Sequence, residues 1–268
     1  MVAFPGCKLN LGLHILAKRP DGYHTINTCF YPLPWTDVLE FLPSPSWAFA
    51  QSGLTIPGGE GDNLCVKAHH LLDLDFHLPP VQGQLHKIIP MGAGLGGGSA
   101  DAAHSLRLLN DIFSLALSRE RLTAYARQLG SDCTFFIQDQ PAFGAGRGDD
   151  LEPIELTLKG LYLVVISPLI HVSTAMAYAS VTPAPAAEDL RTVLRQPVAE
   201  WKARLVNDFE PSVFHRYPEL QNIKQHLYSM GAVYASLSGS GSSLFGLFDR
   251  PVAREVDFPG VPGWSGWL

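Results

Sequence analysis

Cysteine is scarce. Cys7, Cys29, Cys65 and Cys133 are the four in 268 residues, and no two of them form a C-x-x-C pair. A disulfide-stapled scaffold is therefore excluded, and a reducing, cytoplasmic setting is expected. Long apolar runs are lacking as well. Residues 161–166 form one of the longest, far short of the roughly 20 residues that a membrane-spanning helix needs. Lys8 interrupts the apolar opening and no basic segment precedes it, so the first residues do not read as a secretion signal. There is no excess of positive charge: 19 basic residues face 25 acidic ones, scattered along the chain, for a net charge of -6. A nucleic-acid binder would need a basic face to neutralise phosphates. The ten histidines and four cysteines show no metal-ligand spacing, and the adjacent His69 and His70 point in different directions on a helix. No internal repeat is present. Nucleic acid and membrane are thus excluded as partners, and no obligate protein partner is evident.

What the chain does have is apolar surface. With 46% hydrophobic and 16% charged residues it can bury a proper core, which excludes disorder. Leu9, Leu11, Leu13 and Ile15 alternate as in a strand, and a turn follows at Arg19-Pro20-Asp21-Gly22. Residues 24–42 read as extended, 64–76 as a helix and 81–89 as a strand that runs into a glycine-rich segment. Helices are expected over 98–113 and over 118–129, the latter capped by Ser118 and stopped by Gly130. Beyond Gly144-Ala145-Gly146-Arg147-Gly148, residues 161–166 read as a buried strand and 181–199 as a poorly packed connector. A helix over 218–230 and strands over 232–237 and 243–248 complete the pattern. The class is α+β with two subdomains, 1–150 and 151–268.

The densest signal is Pro90-Met91-Gly92-Ala93-Gly94-Leu95-Gly96-Gly97-Gly98-Ser99. Glycine admits positive φ and lets a ligand approach backbone amides closely. The segment feeds a helix N-terminus, whose exposed amides and dipole favour a phosphate. Ser99 adds a hydroxyl suited to a phosphate or to Mg²⁺. No Gly-Lys-Ser/Thr follows, so this is not a Walker loop, and the Rossmann context is absent. A plain flexible turn is the alternative.

The segment from Pro90 to Ala103 resembles the phosphate-binding motif of the GHMP kinase superfamily. Cys7-Lys8-Leu9-Asn10-Leu11-Gly12-Leu13 with Arg19-Pro20-Asp21-Gly22-Tyr23-His24 resembles that superfamily's first motif, and Ser238-Gly239-Ser240-Gly241-Ser242-Ser243-Leu244-Phe245 its third. The pairing of Lys-Leu-Asn-Leu with Asp-Gly-Tyr-His is similar to the branch acting on 4-diphosphocytidyl-2-C-methyl-D-erythritol.

The resemblance implies a two-subdomain GHMP fold with the active site in the cleft between subdomains. The first subdomain would bind ATP and carry the catalytic residues, and the second would contribute to substrate binding. The implied reaction is ATP-dependent phosphorylation of the 2-hydroxyl of that cytidine-diphosphate-linked polyol, a step of isoprenoid precursor synthesis. A kinase of homoserine, mevalonate or a sugar is the alternative, or a non-catalytic nucleotide-binding regulator on the same fold.

The resemblance also assigns residues. Lys8 and Asp132 are the implied catalytic pair. A carboxylate positions or accepts the hydroxyl proton, and a lysine offsets charge at the phosphoryl group. Alone, Asp132 would read as a helix N-cap and Lys8 as a solvated strand lysine. Thr134 stands where the family usually has proline. Pro90, Gly92, Gly94, Leu95, Gly96, Gly97, Gly98 and Ser99 would hold ATP and the Mg²⁺ it carries. Asn63 and Lys87 match segments near the adenine, or are a turn asparagine and an exposed strand lysine. Asn10, Tyr23, His24, Tyr178, Ser238, Gly239, Ser240 and Gly241 would hold the acceptor. Tyr23 and Tyr178 would sandwich cytosine while His24 reads its edge.

Overall fold

The computed structural model describes residues 1–56 and 58–268. The strands are β1 (Val2–Ala3), β2 (Cys7–Lys18), β3 (His24–Leu33), β4 (Val38–Pro43), β5 (Ala48–Gly53), β6 (Val81–Lys87), β7 (Ala142–Ala145), β8 (Asp150–Pro153), β9 (Tyr162–Ile166), β10 (Tyr234–Leu237), β11 (Leu244–Phe248) and β12 (Gly263–Trp267). The helices are α1 (Leu64–Phe76), α2 (Gly97–Ile112), α3 (Arg119–Leu129), α4 (Cys133–Gln138), α5 (Thr174–Ala179), α6 (Leu190–Leu194), α7 (Glu210–Arg216), α8 (Pro218–Ser229) and α9 (Arg254–Asp257). The chain forms two compact units. One comprises Met1–Lys8, Pro32–Met91 and Gly96–Gln140; the other comprises Leu9–Tyr31, Gly92–Leu95 and Pro141–Leu268. The last crossing, at Gln140/Pro141, lies ten residues before the boundary at 150 read from the sequence.

The first unit holds a sheet of order β1-β4-β6-β5, with β4 antiparallel and β5 parallel to β6. Along β6, Val81, Gly83, Leu85 and Lys87 are buried while Gln82, Gln84 and His86 are exposed. The period-2 alternation of a strand thus turns a lysine inward. Gly83 is required by packing, since a Cβ there would stand 2.5 Å from the Phe41 ring and 2.6 Å from that of Phe49. Helix α1 opens at Asn63, whose side chain accepts from the Cys65 amide at 2.9 Å. Helix α3 opens at Ser118, as its sequence led us to expect. Helix α2 buries Ala100, Ala102, Ala103, Leu106 and Leu109, a stripe wider than one face, which fixes it deep in the unit.

The second unit carries two sheets, β2-β3-β7-β8 and β10-β11-β9-β12. Ile15, Val164, Ile166, Phe209, Leu227, Leu237, Leu244 and Phe248 share its core. Strand β12 extends the second sheet, pairing Gly263 with Ile166 and Trp267 with Tyr162. One sequence expectation is corrected here. Residues 181–199 are not merely a loose connector, because they contain α6, capped by Asp189 and burying Leu190, Val193 and Leu194. Five residues are too few to display a helical period. Among the described residues no helix is long and apolar enough to cross a membrane.

Candidate active site

In the first unit, Lys8 and Asp132 come together. The Lys8 ammonium lies 3.3 Å from an Asp132 carboxylate oxygen. The lysine side chain is 4% exposed and the aspartate 35%, so the ammonium is enclosed while the carboxylate keeps an open side. Asp132 occupies the N-cap position of α4 yet makes no side-chain cap bond. The capping alternative for this residue therefore fails, and its carboxylate is turned to the lysine. Thr134, in the first turn of α4, donates its hydroxyl to the Ser131 carbonyl at 2.9 Å. A proline fits the same first-turn position, because the amide there has no intrahelical partner.

The helical end of the glycine-rich segment lies against Lys8 and Phe136. Gly96 has φ +70°, and a Cβ there would lie 3.0 Å from the Phe136 ring and 3.2 Å from Lys8 Cε. Gly96 is the N-cap of the sixteen-residue α2, with no side chain to spend on the first amides and no acidic residue in the first turn. Those amides and the dipole make a seat for an anion. Ser99 is half-buried. Burial raises the Cys133 thiol to about 11, with the Ser99 hydrogen bond pulling the other way.

Lys87 is buried rather than exposed. It pairs with Asp37 and, at 2.8 Å, with Asp101. Burial alone would lower the lysine; the charges of Asp101 and Asp37 raise it instead. Burial lifts Asp101 to about 7 against the pull of Lys87. Asn63 is engaged as the α1 cap and donates to the Gln51 side chain at 3.4 Å.

In the second unit the remaining glycines of the segment meet the glycine-serine loop. Gly94, at φ +79°, lies so close that a Cβ would stand 1.9 Å from the Ser238 carbonyl oxygen. The Ser238 hydroxyl donates to the Gly94 carbonyl at 2.9 Å, and the Ser243 amide donates to Ala93 at 3.0 Å. The Asn10 amide reaches the Ser238 hydroxyl at 3.3 Å, and its side chain donates to Thr28 at 3.0 Å. Asn207 donates to the carbonyls of Leu237 and Gly239, both at 2.9 Å, and so fixes the loop's approach. Ser240 faces Thr174 at 3.2 Å.

The aromatic residues of this unit are arranged differently from a simple Tyr23–Tyr178 sandwich. His24 stacks on Tyr178 with centroids 4.8 Å apart and planes 19° apart. Tyr23, 54% exposed, lies under the Arg147 guanidinium at 4.9 Å. Arg147 is tied to Asp149 at 3.0 Å.

Asp37, Asp101, Arg147 and Asn207 were not singled out from the sequence. Asp101 lies inside the quoted motif, but its ion pair spans fourteen residues and that of Asp37 spans fifty. No linear spacing announces such contacts. Among the described residues no group of three or more His, Cys, Asp or Glu side chains could hold a metal ion.

Known proteins similar to this chain identify its family. The family profile "GHMP kinases N terminal domain" matches residues 63–147 and "GHMP kinases C terminal" matches 189–256. The chain is 49% identical to a 4-diphosphocytidyl-2-C-methyl-D-erythritol kinase of Parabacteroides distasonis over 270 residues, covering 100% of both chains. It is 51% identical to one of Bacteroides fragilis, covering 96% of each. The crystal structure of a 4-(cytidine 5'-diphospho)-2C-methyl-D-erythritol kinase superposes with a TM-score of 0.86 at 31% identity, covering 99% of this chain and 98% of the other. The chain belongs to the GHMP kinases, in their 4-diphosphocytidyl-2-C-methyl-D-erythritol kinase family.

Proposed function

We propose that the protein transfers the γ-phosphoryl group of ATP to the 2-hydroxyl of 4-diphosphocytidyl-2-C-methyl-D-erythritol, a step of isoprenoid precursor synthesis. The observation that carries the reading is Lys8, paired with Asp132 and lying against Gly96 at the start of α2. Its family membership supports the same assignment.

The chemistry follows from the residues. The acceptor hydroxyl attacks the γ-phosphorus, the bond from that phosphorus to the β–γ bridging oxygen breaks, and ADP leaves. The open side of Asp132 orients the hydroxyl and takes its proton. The enclosed ammonium of Lys8 keeps Asp132 in place and offsets charge on the transferring group. The amides of Gly97, Gly98 and Ser99 face the phosphates, and Gly92, Gly94, Leu95 and Pro90 shape the rest of the loop. Mg²⁺ travels with ATP and offsets phosphate charge, with the Ser99 hydroxyl as the protein oxygen proposed for it or for a phosphate. Asn63 and Lys87 serve the adenine side through backbone groups, since their side chains are engaged elsewhere.

Asn10 and the loop Ser238-Gly239-Ser240-Gly241 hold the acceptor's diphosphate end. Tyr23, His24 and Tyr178 hold its base. His24 already stacks on one face of Tyr178, so cytosine stacks on that face only by taking the place of the imidazole. Residues 1–150 supply nucleotide binding and catalysis, and 151–268 contribute to acceptor binding. Four buried free cysteines accord with a cytoplasmic setting. The direct test is ³¹P NMR of the product. A new phosphomonoester on the 2-hydroxyl carbon is expected, and phosphate on any other hydroxyl would overturn the regiochemistry.

A further inference from the structure

We propose that Asp37 is a positioning residue for ATP: acting through Lys87 and Asp101, it holds the two stems of the glycine-rich loop at a fixed separation. The inference rests on the reading that ATP phosphates sit on that loop.

One Asp37 carboxylate oxygen accepts from two successive amides, Ile88 at 2.5 Å and Ile89 at 2.8 Å. These residues lead straight into Pro90 and Met91, the strand-side stem. The other oxygen accepts from the Lys87 ammonium, which also donates to Asp101 at 2.8 Å. Asp101 is the fifth residue of α2, the helix-side stem. The ammonium also sits beneath the first helical residue, since a Cβ at Gly97 would lie 3.0 Å from Nζ. A continuous carboxylate–ammonium–carboxylate bridge thus ties strand stem to helix stem.

The bridge is enclosed. The side chains of Asp37 and Lys87 are 0% exposed and that of Asp101 is 3% exposed. The Cys7 and Cys65 thiols feel its charges from β2 and α1, and burial raises both of them. Stability alone explains it poorly. Buried ion pairs are often no better than apolar residues of the same volume, and one Asp101 oxygen is buried with no hydrogen-bond partner. What such a group supplies is a fixed geometry. Loop amides must converge on a polyphosphate within tenths of an ångström to bind it well.

The test compares Asp37→Asn and Asp101→Asn with wild type. Each variant leaves Lys87 one carboxylate, so the buried ammonium keeps a charged partner. Steady-state kinetics are measured for ATP and for the cytidine-linked acceptor, with calorimetric titration of a non-hydrolysable ATP analogue and circular dichroism melts. Asp37→Asn is expected to raise the KM for ATP and the analogue's Kd by about tenfold or more. Asp101→Asn is expected to raise them by about three- to tenfold, with kcat at saturating ATP and the acceptor KM within about twofold of wild type in both variants.

Folded variants that bind the analogue as wild type does, or that lose ATP and acceptor affinity equally, overturn the inference. If Asp37→Asn does not fold, Asp101→Asn decides by the same thresholds. If wild type shows no turnover with this acceptor, the functional reading fails, and the analogue titration still decides this one.

Discussion

Alanine substitution along the glycine-rich segment should produce an ordered series, and Gly94 marks its severe end. At Gly94 the backbone is left-handed, φ +79°, and an added Cβ would stand 1.9 Å from the Ser238 carbonyl oxygen and 2.9 Å from its carbon. A left-handed alanine costs roughly 1–2 kcal/mol. Backbone cannot yield as a side-chain tip does, so overpacking adds about 1–3 kcal/mol more. The sum, about 2–5 kcal/mol, corresponds to a fall in melting temperature of about 4–20 °C for a chain of this size. Gly98→Ala is the control. That position is helical, and its Cβ would meet Met91 Cε at 3.0 Å, the end of a flexible side chain. Alanine there gains roughly 0.5–1 kcal/mol of helix preference, so stability should hold or rise slightly. Gly96→Ala should fall between them, with a left-handed φ and a tight contact to Phe136. Thermal melts and KM for ATP on the three variants are the assay. Equal melting of Gly94→Ala and wild type, or Gly98→Ala as the most damaged of the three, would show that contact with the Ser238 backbone does not set the cost at Gly94.

Asp132→Asn should lower kcat by about 10²–10⁴ with the KM for ATP little changed, and Lys8→Met should act similarly. The double variant should lose less than the two effects combined, and full additivity would show that the ion pair does not act as a unit. Tyr178→Ala should raise the acceptor's KM about three- to tenfold and leave that for ATP alone. The effect is kept modest because the base replaces an existing His24 stack at 4.8 Å. His24→Ala should erode the preference for cytosine over uracil in the acceptor; unchanged discrimination would remove His24 from base recognition. Burial lowers the affinity of His69 for a proton, both of its ring nitrogens lack a hydrogen-bond partner, and its ring lies 4.0 Å from that of Trp47. The folded state therefore binds fewer protons than the unfolded chain below the ordinary histidine value of about 6.5. Stability should fall as pH drops through that value, by at most about 1.4 kcal/mol per pH unit for this one group. Melts from pH 7.5 to 5.5 should show a flatter slope in His69→Phe than in wild type, and an identical slope would place the proton elsewhere.

The three glycine-bearing motifs were legible because their chemistry is local. For the segment after β6, positive φ, a strand before and a helix after are all encoded within a dozen residues. Long periodic elements such as α1, α2 and α3 were legible for the same reason. The short elements α4 and α6 were not, since neither spans two turns. Lys87 shows the limit most clearly. Its sequence offered an exposed strand lysine as one reading, and only the fold turns it inward and supplies Asp37, fifty residues away, to make its burial tolerable. The aromatic cluster was half legible. Tyr23, His24 and Tyr178 stood out as a set, while the partner that each ring chose depended on Arg147 and on the placement of α5.

That this chain phosphorylates a cytidine-diphosphate-linked polyol with ATP is checked by coupled ADP release with purified protein, comparing that acceptor with free methylerythritol phosphate, homoserine, mevalonate and a hexose. The value of kcat/KM for the cytidine-linked compound should exceed every other by about a hundredfold or more, the discrimination available to a site that hydrogen-bonds and stacks a base. Equal efficiency with any of the others, or ADP release that does not depend on acceptor, would contradict it.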